Sequence, residues 1–144
     1  MFFSPLYEKK TLKDRKTVRK CILGGGTRQI NAEEITVVGE RLNPTGKKKL
    51  AAALAEEDMA YVSAIAREQA AAGAGILDVN VGVPGADEPA LMKRVVETLL
   101  SVTDLPLQID SKSPAAIEAG LRAYPGRAII NSVDGEDKTL DSIL

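Results

Sequence analysis

The sequence predicts an α/β protein built from parallel (β/α) repeats. Short runs of aliphatic and β-branched residues alternate with longer amphipathic segments, and polar or turn-forming residues follow each run. Alternation of this kind indicates a parallel sheet with right-handed crossovers. It fits either a doubly wound sheet or half of a (β/α)₈ barrel, since a complete barrel needs about 250 residues and the chain has 144.

The strands and helices follow from local patterns. Leu50, Leu54, Tyr61 and Ile65 are spaced as one apolar face of a helix, and Gly73 is a typical helix stop. Strands are predicted at 35–39, 76–82, 106–110 and 128–132, and helices at 47–73 with a break near Glu56–Asp58, 87–101, 114–124 and 136–144. These segments make about four βα units of the eight in a complete barrel.

Composition excludes several classes of function. The net charge is -1 and aromatic residues are only 3% of the chain, which argues against nucleic-acid and membrane partners. Histidine is absent and Cys21 is the only cysteine, so a His base, a His ligand or a multi-Cys metal site is excluded and no metal is predicted. No apolar run reaches the length of a membrane span, and we expect a cytoplasmic protein.

Residues 1–34 differ from the rest and are predicted to be a basic N-terminal extension or linker. Up to Arg28 they carry eight basic residues against Glu8 and Asp14, with little apolar periodicity. Gly24-Gly25-Gly26 is interpreted as a flexible turn, because the residues that follow do not form a phosphate-binding loop. Residues 35–144 are predicted to contain the folded βα repeats.

Polar side chains follow all four predicted strands. They are Glu40, Arg41 and Asn43 after the first, Asp78 and Asn80 in the second, Asp110 and Ser111 after the third, and Asn131 and Ser132 after the fourth. Carboxyl ends of parallel strands meet on one rim, where α/β proteins bind ligands. A single such residue is readily explained as a loop or helix cap, but four successive strand ends favour a binding site.

The chemistry available at this rim is carboxylates, amides and one guanidinium. A carboxylate accepts two parallel hydrogen bonds from adjacent N–H donors, and amides can pair with mixed donors and acceptors. This set suits a planar heterocycle such as a 2-amino-4-oxo-pteridine.

Four segments resemble the pterin-binding domain of methyltetrahydrofolate methyltransferases, a family that includes the folate domain of cobalamin-dependent methionine synthase. They are Val38-Gly39-Glu40-Arg41-Leu42-Asn43-Pro44-Thr45-Gly46, Ile76-Leu77-Asp78-Val79-Asn80-Val81-Gly82, Leu107-Gln108-Ile109-Asp110-Ser111 and Ile130-Asn131-Ser132. Dihydropteroate synthase is a more distant relative. The resemblance identifies residues 35–144 as the N-terminal half of such a domain, a partial TIM barrel.

The resemblance implies binding of methyltetrahydrofolate and transfer of its N5 methyl group to a cob(I)alamin or corrinoid carrier on a partner domain or protein. Asp110 and Asn131 match family positions that hydrogen-bond the pterin. Asp78 and Asn80 match the second-strand motif beside it. Glu40 and Asn43 are expected to line the same open end of the barrel, and Ser111 completes the predicted pterin site.

The family domain has eight strands, and this chain supplies about four. We therefore expect the chain either to form a homo-oligomer or to lack the C-terminal half of its barrel, because open sheet edges favour association. Two alternatives stay open: a pterin enzyme of the dihydropteroate synthase kind, and a non-catalytic half-barrel that acts only by assembly with another chain.

Overall fold

The computed structural model describes Ile22–Gly25, Arg28–Asn31 and residues 35–132. Its strands are β1 (Ile22–Gly25), β2 (Arg28–Asn31), β3 (Val38–Leu42), β4 (Ile76–Val79), β5 (Leu107–Asp110) and β6 (Ile129–Asn131). Its helices are α1 (Lys48–Ala55), α2 (Met59–Ala71), α3 (Glu88–Val102) and α4 (Pro114–Ala123). The helix predicted at 136–144 lies outside the described residues.

Strands β3 to β6 form one parallel sheet in the order β3-β4-β5-β6. The helices pack against one another in chain order, α1 on α2, α2 on α3 and α3 on α4, and so form one layer. A doubly wound sheet would reverse its strand order and carry helices on both faces. The fold is therefore a partial TIM-type barrel, as the resemblance implied.

The hydrophobic core lies between the sheet and this layer of helices. Leu77 and Val79 of β4 and Leu107 and Ile109 of β5 are fully buried there. Their neighbours along the strands point to the other face because side chains alternate. The apolar residues thus anchor the sheet, and the opposite face is left for polar side chains.

The helix boundaries follow from capping residues. Asp58, Asp87 and Ser113 each accept a hydrogen bond from a backbone N–H in the first turn of α2, α3 and α4, at 3.0, 3.2 and 3.3 Å. The predicted break near Glu56–Asp58 is confirmed, since α1 ends at Ala55 and α2 begins at Met59. Among the described residues, no helix is both long and apolar enough to cross a membrane.

The first strand of the parallel sheet was predicted too early, and that prediction is wrong. The predicted segment was 35–39, but β3 runs from Val38 to Leu42, and Ile35 and Val37 are exposed. Pairing begins where Val38 lies opposite Ile76, so β-branched composition alone did not locate it. Glu40 is consequently inside the strand rather than after it.

An antiparallel hairpin formed by β1 and β2 was not predicted. Gly24 was assigned to a flexible turn, but it lies in β1 and its backbone exchanges two hydrogen bonds with Arg127, at 2.9 and 3.0 Å. A Cβ at Gly24 would lie 2.5 Å from the carbonyl oxygen of Arg28, and its φ of 111° suits glycine. The hairpin therefore pairs with the chain segment just before β6 begins. The domain boundary near residue 34 stays a prediction.

Candidate functional site

The candidate site lies on the sheet face that points away from the helices, at the carboxyl ends of β4, β5 and β6. Register places Asp78 opposite Gln108 and Asp110 opposite Asn131. Asn80 follows Asp78 by two residues and shares its face. The predicted rim of converging strand ends therefore exists, and we call these five residues the polar rim.

The Asp110 carboxylate accepts hydrogen bonds from two asparagine side chains, one after β3 and one after β4. Its Oδ2 accepts a hydrogen bond from Nδ2 of Asn80 at 2.9 Å and a longer one from Nδ2 of Asn43 at 3.5 Å. Oδ1 of Asp110 has no hydrogen-bond partner in the part of the chain that the structure describes. A half-buried carboxylate held on one oxygen leaves the other oriented for a ligand N–H.

Both asparagines are themselves oriented by the backbone. Oδ1 of Asn80 accepts from the backbone N–H of Gly82 at 2.9 Å, and Oδ1 of Asn43 accepts from that of Thr45 at 3.0 Å. Each amide therefore presents its NH₂ group to Asp110, and the two loops preorganise the carboxylate.

Asp78 is the buried acid of the polar rim, with only 2% of its surface exposed. Its Oδ1 accepts a hydrogen bond from Nε2 of Gln108 at 2.5 Å, and the amide of Asn131 also favours the charged form of the carboxyl. Burial raises the pKa of Asp78 above its ordinary value of 3.8, and the negative charges of Asp110 and Glu40 add to this rise. The hydrogen bonds from the two amides oppose the rise without cancelling it.

Glu40 and Ser111 differ from the rest of the predicted site. Glu40 is exposed at the carboxyl half of β3, close enough for its charge to act on Asp78. Ser111 is buried and donates its hydroxyl to Glu88 on α3, while its Oγ accepts from the backbone N–H of Ser113. Its contacts thus join β5 to the starts of α3 and α4, and its contact with a pterin stays a prediction.

Two positioning residues were missed by the sequence analysis. Gln108 holds Asp78, and its position two residues before Asp110 on the same strand was the signal that could have identified it. Gln69 of α2 is 5% exposed, and its Oε1 accepts from the backbone N–H of Arg41 at 2.8 Å. This bond supports β3 where its register with β4 shifts between Gly39 and Leu42, a contact between distant segments that no local pattern marks.

The polar rim offers two carboxylates and three amides on one face, and the described residues contain no cluster of three or more acidic or cysteine side chains suited to a metal ion. Such a set can pair with a flat ligand edge that carries both donors and acceptors. Fold and site together thus define a barrel-type α/β protein with a rim of acid and amide side chains at its strand ends.

Residues 39–143 match the family model described as pterin binding enzyme. Because this match covers most of the chain, the chain belongs to the pterin binding enzyme family. The match includes every element from β4 to β6 and all residues of the polar rim.

Two curated relatives agree with the resemblance found in the sequence. The chain is 39% identical over 103 residues to the methionine synthase of Mycobacterium tuberculosis, covering 72% of this chain and 9% of the relative. It is 37% identical over 103 residues to that of Mycobacterium leprae, covering 72% and 8%. The chain thus spans less than a tenth of the length of these relatives, and the predicted resemblance is confirmed.

Among solved structures, the fold is similar to a dihydropteroate synthase of Xanthomonas albilineans in complex with indole-2-carboxylic acid and 6-chloroguanine. The TM-score is 0.54 with 26% identity, over 85% of this chain and 45% of that one. The described parallel sheet and its helices therefore correspond to part of a longer chain.

Proposed function

We propose that this chain binds the pterin ring of methyltetrahydrofolate through the polar rim and takes part in transfer of the N5 methyl group to a corrinoid carrier. The observation that carries the proposal is Asp110, held by Asn80 and Asn43 through Oδ2 alone. Family membership supports a pterin ligand, and the methionine synthase relatives support methyl transfer as the reaction.

The donor set fits the ring edge of a pterin. A 2-amino-4-oxo-pteridine carries a ring N–H beside an exocyclic NH₂, and the free oxygen of Asp110 can accept from this edge. Asn131 and Asn80 can pair with the neighbouring ring nitrogen and carbonyl. The 6-chloroguanine bound by the structural relative has a comparable 2-amino heterocyclic edge.

In the proposed reaction the bond between N5 and the methyl carbon breaks, and N5 ends with one added proton. A neutral tertiary amine leaves poorly, so the site must favour positive charge or a proton at N5 in the transition state. Preorganised carboxylates contribute by holding the ring without reorganisation. The corrinoid, on a partner domain or protein in the cytoplasm, supplies the nucleophile that accepts the methyl group, and no residue described here is assigned to it.

The test is calorimetric binding of methyltetrahydrofolate to the chain and to Asp110→Asn. The substitution keeps the shape but removes the negative charge, and we expect affinity to fall at least about tenfold. The matched control is Asp104→Asn, an exposed acid that pairs with Arg28 before β5 begins. Equal affinity in all three chains would refute the site.

A second candidate, condensation of the dihydropteroate synthase kind, is favoured by the structural relative. The two reactions are separated by mixing the chain with each pair of substrates. Loss of cob(I)alamin absorbance with methyltetrahydrofolate supports methyl transfer, whereas pteroate formed from dihydropterin pyrophosphate and para-aminobenzoate supports the alternative.

A further inference from the structure

Glu88 lies in the first turn of α3, outside the polar rim, yet its carboxylate contacts the segment that follows Asp110. Oε1 of Glu88 accepts a hydrogen bond from the hydroxyl of Ser111, the residue next to Asp110 in the chain. Hydrogen bonds to an ionised acceptor are shorter and stronger than those between neutral groups. This bond therefore connects α3 firmly to the carboxyl end of β5.

The Ser111 side chain points to the helices rather than to the polar rim. Side chains alternate along an extended chain, so Asp110 and Ser111 point in opposite directions, and only 3% of Ser111 is exposed. Its Oγ also accepts from the backbone N–H of Ser113 at 2.9 Å. The single proton of the hydroxyl is thus donated to Glu88, and its oxygen is bonded to the start of α4.

The backbone of Ser111 joins the two strand ends that carry Asp110 and Asn131. The N–H of Ser111 donates to the carbonyl oxygen of Asn131 at 2.9 Å, and the register places Asp110 opposite Asn131. A displacement of Ser111 would therefore change the direction of the Asp110 side chain and weaken the pairing at the end of β6. The two rim residues depend on one peptide unit for their spacing.

We propose that Glu88 is a positioning residue for ligand recognition and that it acts through Ser111. The Ser111 backbone then holds Asp110 and Asn131 at the spacing that the edge of a heterocycle requires. The inference rests on the proposed function, since an effect on affinity needs a ligand at the polar rim. A small displacement matters there, because the strength of a hydrogen bond falls steeply as its distance and angle change.

A different role for Glu88 would be compensation of the helix dipole. Acidic residues in the first turn of a helix stabilise its positive end, and Glu88 is the acidic residue in the first turn of α3. That role needs the negative charge but not the reach to Ser111. The positioning role needs an oxygen within reach of Ser111 but not the full charge, so two conservative variants separate the two roles.

The experiment measures affinity for methyltetrahydrofolate by calorimetry on the whole chain, with urea denaturation to establish the folded fraction of each variant. Glu88→Gln keeps an acceptor oxygen at the same reach and should bind within about twofold of wild type. Glu88→Asp keeps the charge but is one methylene shorter, and we expect it to bind about tenfold more weakly, as does Glu88→Ala. The matched control is Glu97→Ala, an exposed acid of the same helix that pairs with Lys93, and it should bind as wild type does. Tenfold weaker binding by Glu88→Gln, whatever the result for Glu88→Asp, would assign the effect to charge and overturn the inference.

Failure of this inference is distinguishable from failure of the proposed function. If Asp110→Asn weakens binding but Glu88→Asp and Glu88→Ala do not, the positioning role is wrong and the proposed function stands. If no folate binds, the proposed function fails, and NMR then tests the positioning role without a ligand. The side-chain amide resonance of Asn80, which donates to Asp110, should shift in Glu88→Ala and stay in place in Glu97→Ala. An unchanged resonance in Glu88→Ala would overturn the inference.

Discussion

The two faces of the parallel sheet are built from alternate residues of the same strands, yet they differ completely in character. In β5, Leu107 and Ile109 are fully buried against the helices, whereas Gln108 and Asp110 are half-buried on the other face. Successive residues of one strand thus belong alternately to a close-packed surface and to a hydrogen-bonding surface.

Because the two faces differ in this way, we expect substitutions on the helix-facing side to act mainly on stability and those on the rim to act on ligand binding. Burial of the helix-facing side chains stabilises the folded state. The rim side chains hydrogen-bond one another with only some of their donors and acceptors. In Asp110, for example, both hydrogen bonds end on Oδ2, so Oδ1 can accept from a ligand. Substitutions on the two faces should therefore give different effects even at adjacent positions.

The largest effect is expected for Leu77→Ala on the helix-facing side of β4. Leu77 is fully buried in the core, so the substitution removes apolar contacts and leaves a cavity. We expect the free energy of unfolding to fall by about 3 kcal/mol, as measured by urea denaturation. The folded fraction should still bind the ligand, because the Leu77 side chain points to the helix-facing side of the sheet and not to the face of the polar rim.

The matched control is Leu100→Ala on α3, where 38% of the residue is exposed. It removes the same atoms from a surface position and should change stability by less than about 0.5 kcal/mol. A similar loss in both variants would contradict the assignment of Leu77 to the core.

An intermediate effect is expected for Asn80→Ala on the rim face. The substitution removes the bond to Asp110 and the bond from the N–H of Gly82, which should cost about 1 to 2 kcal/mol of unfolding free energy. Thr98→Ala, which removes an exposed hydrogen bond on α3, is the control and should cost less. Ligand affinity should fall for Asn80→Ala and not for the control.

Much of this architecture could be predicted because local patterns determine it. The break after Ala55 coincides with Asp58, whose capping role is visible in the sequence, and Pro114 marks the start of α4. Convergence of Asp78 and Asp110 followed from parallel alternation alone. These features depend on residues close together in the chain.

The features of the fold that were not predicted depend on contacts between distant segments of the chain. The start of β3 is determined by where β4 begins, so composition placed it three residues too early. The hairpin packs through Gly24 against Arg127, more than half the chain away. The hydrogen bond that Gln69 accepts from the backbone of β3 likewise has no periodic signal in the sequence.

The smallest effect concerns pH and the buried acid Asp78. Because burial raises its pKa in the folded chain, the native state binds this proton more tightly than the unfolded state. The contribution of Asp78 to stability is therefore most favourable near and below its ordinary pKa of 3.8, and it declines as pH rises through the folded value.

In Asp78→Asn this dependence is absent, while Oδ1 can still accept from Gln108. The difference in unfolding free energy between wild type and Asp78→Asn should thus decrease from acidic to neutral pH in urea titrations, with Asp104→Asn providing the baseline for an exposed acid. A difference that stays constant or grows with pH would show that the amides of Gln108 and Asn131 outweigh burial in their effect on the Asp78 carboxyl.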